Sequence, residues 1–317
     1  MSAFLELLNV SKYFKVTSGL LGLQSDSVRA VDDVSLTVNK GETLGLVGES
    51  GCGKSTLAKC IMGLDTVTSG EVIFKDRSLS NWDEKKLRRQ IQMIFQDPYS
   101  SLNPRQKIGS IIREGLDIHK IGTPDERKAR VEYLLALVGL RPEHGNRYPH
   151  EFSGGQRQRV AVARTLALDP QLIVCDEPVS ALDVSVQAQV LKMLKELQQE
   201  FNLTYVFISH DLSVVSHISD RVAVMYLGRI MELSSSEALF TTPKHPYAEA
   251  LLSAVLRPDP TQQPERITLN GDLPSPLNPP AGCPFHPRCP KAFEKCSNIR
   301  PDLKEIDTKT KVACWLY

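Results

Sequence analysis

The 317-residue chain has almost no surplus charge, with 38 Lys and Arg against 37 Asp and Glu, a formal net charge of +1. A protein devoted to nucleic acid usually shows a strong basic excess, so that class is disfavoured and only a local basic patch stays open. No run approaches the roughly 18 apolar residues that a membrane-spanning helix needs. The first ten residues have no basic stretch ahead of their apolar ones, and Glu6 and Asn9 interrupt them, so no secretory signal is expected. The expected setting is therefore the cytoplasm, where thiols stay reduced, with any membrane role coming through partners. There is no internal repeat and no long heptad run. Seven cysteines are present, but none form a C-x₂-C pair, so the usual zinc-ribbon spacing is missing. Four of the seven lie in the last 35 residues.

The most specific feature is Gly48-Glu49-Ser50-Gly51-Cys52-Gly53-Lys54-Ser55, a match to the phosphate-binding loop G-x-x-x-x-G-K-[ST]. A strand-like run, Thr43–Val47, precedes it, and a helix-like run over residues 56–64 follows. The glycines let backbone N–H groups converge on phosphate oxygens, and the helix N-terminus adds partial positive charge. Lys54 is expected to reach the β and γ phosphates and Ser55 to bind Mg²⁺, with Thr56 beside it.

Residues 1 to about 255 alternate strand and helix patterns, the texture of a parallel α/β sheet. Strands are expected at 5–10, 34–38, 43–47, 71–74, 91–95, 172–175 and 204–208, with a hairpin of 221–226 and 229–232 turning at Leu227-Gly228. Helices are expected at 124–138, 154–168, 184–200 and 246–256, the first with Thr123 as N-cap and Pro124 at its first position. Eleven of the 20 prolines fall between Pro258 and Pro301, which disfavours long helices and central strands there. A tail so short of regular structure needs a staple.

Two more motifs carry chemistry. Leu172-Ile173-Val174-Cys175 reads as a buried strand ending in Asp176-Glu177. In P-loop ATPases such acids hold Mg²⁺ through water (Asp176) and polarise the attacking water (Glu177). Phe152-Ser153-Gly154-Gly155-Gln156 opens a helix 20 residues before Asp176, counted from Gln156. Its bland reading is a serine N-cap followed by flexible glycines. Its functional reading is Ser153 and the Gly154 and Gly155 amides aimed at a γ-phosphate.

In that company Phe152–Gln156 resembles the signature motif of the ATP-binding cassette family, with Phe152 replacing the commoner leucine. The resemblance implies that Ser153, Gly154, Gly155 and Gln156 complete the ATP site of an opposing subunit. It further implies that Gln96 is the glutamine that contacts Mg²⁺ and senses the transporter. Asp183, in Ser180-Ala181-Leu182-Asp183, would cross the dimer interface, and His210 would be the switch histidine at the γ-phosphate. Phe14 takes the place of the aromatic that stacks on adenine, with Tyr13 as its rival.

The branch is set by Gln96-Asp97-Pro98-Tyr99-Ser100-Ser101-Leu102-Asn103-Pro104, by Thr242-Pro243-Lys244-His245-Pro246-Tyr247, and by the tail from Leu273 to Cys289. These are similar to ATPase subunits of bacterial dipeptide and oligopeptide importers. The resemblance implies a P-loop cassette with antiparallel and helical subdomains (residues 1–256, helical part about 97–168) and a Cys-rich C-terminal extension (257–317). It implies an ATPase at the cytoplasmic face of the membrane, working with a homologous second ATPase, two permease subunits and an external binding protein. Nickel or metal-chelate importers share this plan, and soluble cassette ATPases of DNA repair or translation are the more distant alternative. Those normally carry coiled-coil or zinc insertions or two fused cassettes. A regulatory iron–sulfur protein with vestigial nucleotide binding would need a broken catalytic residue, and Glu177 and His210 are intact.

Cys283, Cys289, Cys296 and Cys314 suit either a [4Fe–4S] cluster or zinc, and a metal-free tail stays open. The resemblance implies the iron–sulfur cluster in at least some members. His245 and His286 read as surface or turn residues or as minor ligands, and Cys52, Cys60 and Cys175 as small buried side chains.

Overall fold

The computed structural model describes residues 3–18, 24–254, 267–269 and 271–317. The chain divides into two units, Met1–Leu79 with Ser209–Tyr317, and Ser80–Ile208.

In the first unit Leu5–Ser18 pairs antiparallel with Gln24–Val38, and Ser69–Phe74 and Arg77–Ser78 extend the sheet on the other side. Leu5, Leu7 and Val10 are buried, as are Val34, Leu36 and Val38, so one face of the pleat packs inward. Both long strands run past their expected limits of 5–10 and 34–38. Alternation marks only the half-buried part. The extra length is a largely solvent-facing ribbon held by its ladder, with shifts of register around Val10 and Lys12.

A second run of strands in this unit has the order Lys304–Asp307, Thr310–Val312, Arg229–Ser235, Arg221–Tyr226, Thr43–Val47. Thr43–Val47 is buried along its whole length and runs parallel to Arg221–Tyr226, with Val47 opposite Val224. The expected hairpin is present. Leu227 and Gly228 both have positive φ (43° and 79°), as a tight two-residue turn between twisted strands requires. Helix Leu212–Ile218 was not legible from periodicity, being seven residues long, but Asp211 caps it through Ser213 and Val214.

Helix Pro246–Ser253 occupies most of the expected 246–256. The last residues of that expectation, and the expected boundary at 256/257, lie outside the described residues. The tail carries more regular structure than anticipated. Helix Glu294–Asn298 forms near the end of the proline-rich stretch, and strands Lys304–Asp307 and Thr310–Val312 follow it. Beyond Pro301 the backbone again has N–H groups to offer, and Thr310–Val312 adds antiparallel to Arg229–Ser235, with Val312 opposite Glu232.

In the second unit Ile91–Ile94, Leu172–Asp176 and Thr204–Ile208 form a parallel set with Leu172–Asp176 in the middle. Helix Pro124–Leu137 begins as expected: Thr123 and Glu126 form a reciprocal capping box. Helix Val184–Phe201 buries Val190, Met193, Leu194 and Leu197, one stripe at helical spacing, and ends at Asn202 in the left-handed region. Helix Ile108–Ile118 was missed, although its buried Ile108, Ile111, Ile112 and Leu116 carry the same spacing. Among the described residues no helix is long and apolar enough to cross a membrane.

Candidate functional site

The glycine-rich loop leaves Thr43–Val47 and enters helix Lys54–Ile61, two residues earlier than expected. Gly53 is the N-cap, with φ 109°, and no side chain caps it. A Cβ at Gly53 would stand 2.0 Å from the carbonyl oxygen of Ala30, and one at Gly48 would stand 2.1 Å from that of Met225. Only glycine fits either position. Gly51 also has positive φ, 78°, but has open space around it. Lys54 is 6% exposed and curls over the loop, its Nζ donating to the carbonyls of Gly48 (2.8 Å) and Glu49 (3.0 Å). The hairpin turn braces the loop from below, Gly228 N–H donating to Cys52 C=O at 2.8 Å. Cys52 is buried, and desolvation raises its thiol pKa despite the adjacent Lys54. Ser55 is exposed and Thr56 half-buried at the start of the helix.

The same unit holds His210 and the two rival aromatics. His210 is exposed and follows Ser209, whose N–H donates to Leu46 C=O at 3.3 Å. Phe14 is 40% exposed, with Lys12 Nζ 5.0 Å from its ring centre. Tyr13 is half-buried, and its hydroxyl is committed to Asp32 Oδ1 at 2.6 Å.

In the second unit the buried strand Leu172–Asp176 delivers Asp176 half-buried at its end. Glu177 then takes φ 48°, and its N–H donates to Ile208 C=O at 3.0 Å. A non-glycine residue there costs roughly 1–2 kcal/mol, a strain typical of side chains aimed for function. Gln96, expected as a Mg²⁺ contact that senses the transporter, meets Glu177: its Nε2 donates to Glu177 Oε2 at 2.9 Å. Asp183 is exposed at the N-cap of helix Val184–Phe201 without a capping bond from its side chain. Gln187 instead holds the preceding turn, donating to the carbonyls of Val179 and Leu182.

Ser153 caps helix Gly154–Leu166 in a capping box with Gln156, so the bland reading of that serine is structurally true. Ser153 and Gly154 are nonetheless exposed, while Phe152 is buried and edge-on to His144. Gly155 has a packing reason of its own, since a Cβ there would come within 2.4 Å of Val186 Cγ1.

The tail cysteines gather. Cys283, Cys289, Cys296 and Cys314 line one small cavity of about 10 Å³ with Phe285 and Trp315. Burial, and then the neighbouring thiols, push Cys283 up to about 11. Among the described residues no group of three or more His, Cys, Asp or Glu side chains is arranged to hold a metal ion. His245 is not a surface residue: it is 1% exposed and caps helix Pro246–Ser253, its Nδ1 accepting from Tyr247 N–H at 3.0 Å. Cys60 and Cys175 are buried, as expected.

Sequence reasoning missed Arg288 and Tyr247. Arg288 forks onto the Glu49 carboxylate, Nη1 to Oε2 at 2.7 Å and Nη2 to Oε1 at 3.1 Å. The hydroxyl of Tyr247 accepts from Glu49 N–H at 2.9 Å. The only available signal was Glu49 itself, a carboxylate inside a phosphate loop that calls for a counter-charge.

A strand, a glycine loop closed over a lysine and a helix entered without a side-chain cap define a P-loop nucleotide site. Known proteins place it more closely. A family model described as ABC transporter matches residues 31–180, and one described as oligopeptide/dipeptide transporter, C-terminal region, matches residues 231–296. The oligopeptide transport ATP-binding protein AppF of Bacillus subtilis (strain 168) is 56% identical, over 99% of this chain and 97% of that protein. The dipeptide transport ATP-binding protein DppF of Escherichia coli (strain K12) is 50% identical, over 98% and 93%. Among solved structures, the ATP-binding cassette MJ0796, a dimer in a post-hydrolysis state with ADP and Pi, superposes with TM-score 0.64. It is 30% identical and covers 73% of this chain and 98% of that one. The chain belongs to the ATP-binding cassette transporter family, in the branch of oligopeptide and dipeptide transport ATP-binding proteins. It is an ATPase whose hydrolysis is coupled to transport.

Proposed function

We propose that this chain powers the import of peptides, binding and hydrolysing ATP at the cytoplasmic face of the cell membrane. The observation that carries the cargo class is the match of residues 231–296 to the C-terminal region of oligopeptide and dipeptide transporters. The nickel and metal-chelate reading, and the soluble repair or translation reading, are not favoured. Residues 1–256 are read as the cassette, with a helical subdomain at about 97–168, and 257–317 as the extension.

Gly48, Glu49, Ser50, Gly51, Cys52 and Gly53 present the loop backbone to the phosphates, and Lys54 supplies the compensating charge. Phe14 stacks on the base, a reading supported by its exposure while Tyr13 is held by Asp32. Bound Mg²⁺ would neutralise charge between the β and γ phosphates, with Ser55, Gln96 and Asp176 as its holders. Glu177 takes the proton of the attacking water and Gln96 orients its carboxylate. His210 contacts the γ-phosphate. Ser153, Gly154, Gly155, Gln156 and Asp183 serve the ATP of a second, homologous ATPase subunit. The exposure of Ser153, Gly154 and Asp183 supports that role. Two permease subunits and an external binding protein complete the assembly.

For the tail we propose a [4Fe–4S] cluster on Cys283, Cys289, Cys296 and Cys314, with zinc as the alternative. Four thiols around one cavity support it.

The test is ATP-dependent uptake of a labelled peptide by the complex reconstituted with its permeases and binding protein in vesicles. Uptake that needs ATP and is lost in Lys54→Ala supports the reading. ATP hydrolysis stimulated by nickel chelates and not by peptides would overturn the cargo.

A further inference from the structure

Glu49 is an anomaly in a loop whose task is to hold phosphate. The loop attracts anions through its N–H groups, the helix N-terminus and Lys54. A carboxylate at its second position opposes all three. The structure answers with Arg288, 239 residues further along the chain, which forks onto both Glu49 oxygens from a side chain only 9% exposed. Such a fork is the strongest and most directional ion pair that side chains make. Glu49 is pinned at its other polar atoms as well. Its N–H donates to Tyr247 Oη and its carbonyl accepts from Lys54 Nζ. Tyr247 is itself fully buried, with its ring 4.7 Å from Tyr226 and 5.2 Å from Phe285.

Arg288 and Phe285 belong to the tail. Arg288 closes the short turn His286–Arg288 and directly precedes Cys289, and Phe285 lines the cysteine cavity. Whatever shifts this turn shifts the guanidinium that neutralises Glu49.

We infer that Arg288 is a positioning residue of the nucleotide site: by cancelling the Glu49 charge and fixing its direction, it makes the Cys-bearing tail set how tightly the P-loop holds a nucleoside triphosphate. This rests on the reading that Gly48–Ser55 binds ATP. A merely structural clip would lose packing when Arg288 is removed, and nothing done at Glu49 would restore it. A charge-cancelling role makes the opposite demand. Once Arg288 is gone, removing the Glu49 charge should bring ATP affinity back.

The experiment is a titration of the full chain with a fluorescent ATP analogue, at low and high salt, with thermal unfolding recorded for each variant. Arg288→Ala should weaken binding by about tenfold, within the usual range for coupled sites. The loss should shrink in high salt, because an uncovered surface charge is screened. Arg288→Lys keeps the charge without the fork and should fall between. Arg288→Ala with Glu49→Gln should bind within about twofold of Glu49→Gln alone, so that the loss caused by Arg288→Ala disappears once the Glu49 charge is gone. Lys291→Ala, which breaks another ion pair between the tail and the cassette, to Glu249, should leave the affinity unchanged. An Arg288→Ala affinity equal to wild type, or a loss that persists in full in the double variant, overturns the inference. Wild-type protein that fails to bind ATP would refute the P-loop reading and take this inference with it. Wild-type binding that is lost in Lys54→Ala keeps the two failures apart.

Discussion

Glu177→Gln removes one charge and leaves the surrounding geometry in place. Gln96 Nε2 donates to Glu177 Oε2 at 2.9 Å, and a glutamine amide oxygen offers that donor the same acceptor. The bond loses its charge assistance, a change from about 1.5–3 to about 0.5–1.5 kcal/mol in net worth. The backbone at this position is already left-handed, φ 48°, and glutamine meets the same conformational cost as glutamate. Fold stability should therefore fall by only about 1 kcal/mol. The rate should respond very differently. A general base contributes about 10²–10⁴-fold, or roughly 3–5.5 kcal/mol of barrier. The assay is steady-state phosphate release by the transporter complex after the site of any second ATPase subunit has been silenced, with ATP affinity and Tm measured alongside. Unchanged affinity, a nearly unchanged Tm and turnover lowered by at least about 100-fold are expected. Glu177→Ala removes the acceptor as well as the charge, and should be both slow and less stable. Turnover within about threefold of wild type in Glu177→Gln, a barrier change too small for a lost base, would refute the assignment.

The two loop glycines with blocked Cβ positions should behave unlike the third. Gly53→Ala meets the Ala30 carbonyl at 2.0 Å and should abolish ATP binding, while Gly51→Ala meets nothing and should cost only about 1 kcal/mol of stability, read by titration and thermal melting. Gly155→Ala drives a methyl against Val186 and should destabilise the second unit by about 1–3 kcal/mol, with Val186→Ala recovering much of it in the double variant. It follows that any charge placed at Gly155 to block an opposing ATP also strains its own helix pair, so Ser153→Asp is the cleaner probe of that role. Anaerobic purification should give a brown protein with about four irons per chain, lost in Cys289→Ser, and stoichiometric zinc without iron would replace the cluster with a structural zinc site. Thr123→Ala removes one half of the capping box on Pro124–Leu137 and should lower stability by about 1 kcal/mol in chemical denaturation.

The helix Ile108–Ile118 was legible and overlooked, since its four buried apolar residues sit at helical spacing. The long ribbon ends of Leu5–Ser18 and Gln24–Val38 were not legible. Periodicity reports burial, and a ribbon that meets solvent on both faces leaves no alternation to read. The tail strands Lys304–Asp307 and Thr310–Val312 are short and charged; Thr310–Val312 is a strand because Arg229–Ser235 offers it an edge, and Lys304–Asp307 adds in turn to Thr310–Val312.

Local motifs determined, unaided, the phosphate loop and its flanking strand and helix, the acid pair Asp176-Glu177 at the end of a buried strand and the signature helix opening at Ser153. In each case the chemistry needs particular residues at fixed short spacing, and short spacing survives in one dimension. Tertiary structure decided what distant residues do for one another. It brought Gln96 to Glu177 across 81 positions and Arg288 to Glu49 across 239, buried His245 where a surface or turn residue was expected, and gathered four thiols on one cavity. Such pairings leave no period and no motif. The Arg288–Glu49 pair arises because a charge held partly away from water must find a counter-charge wherever the folded chain places one.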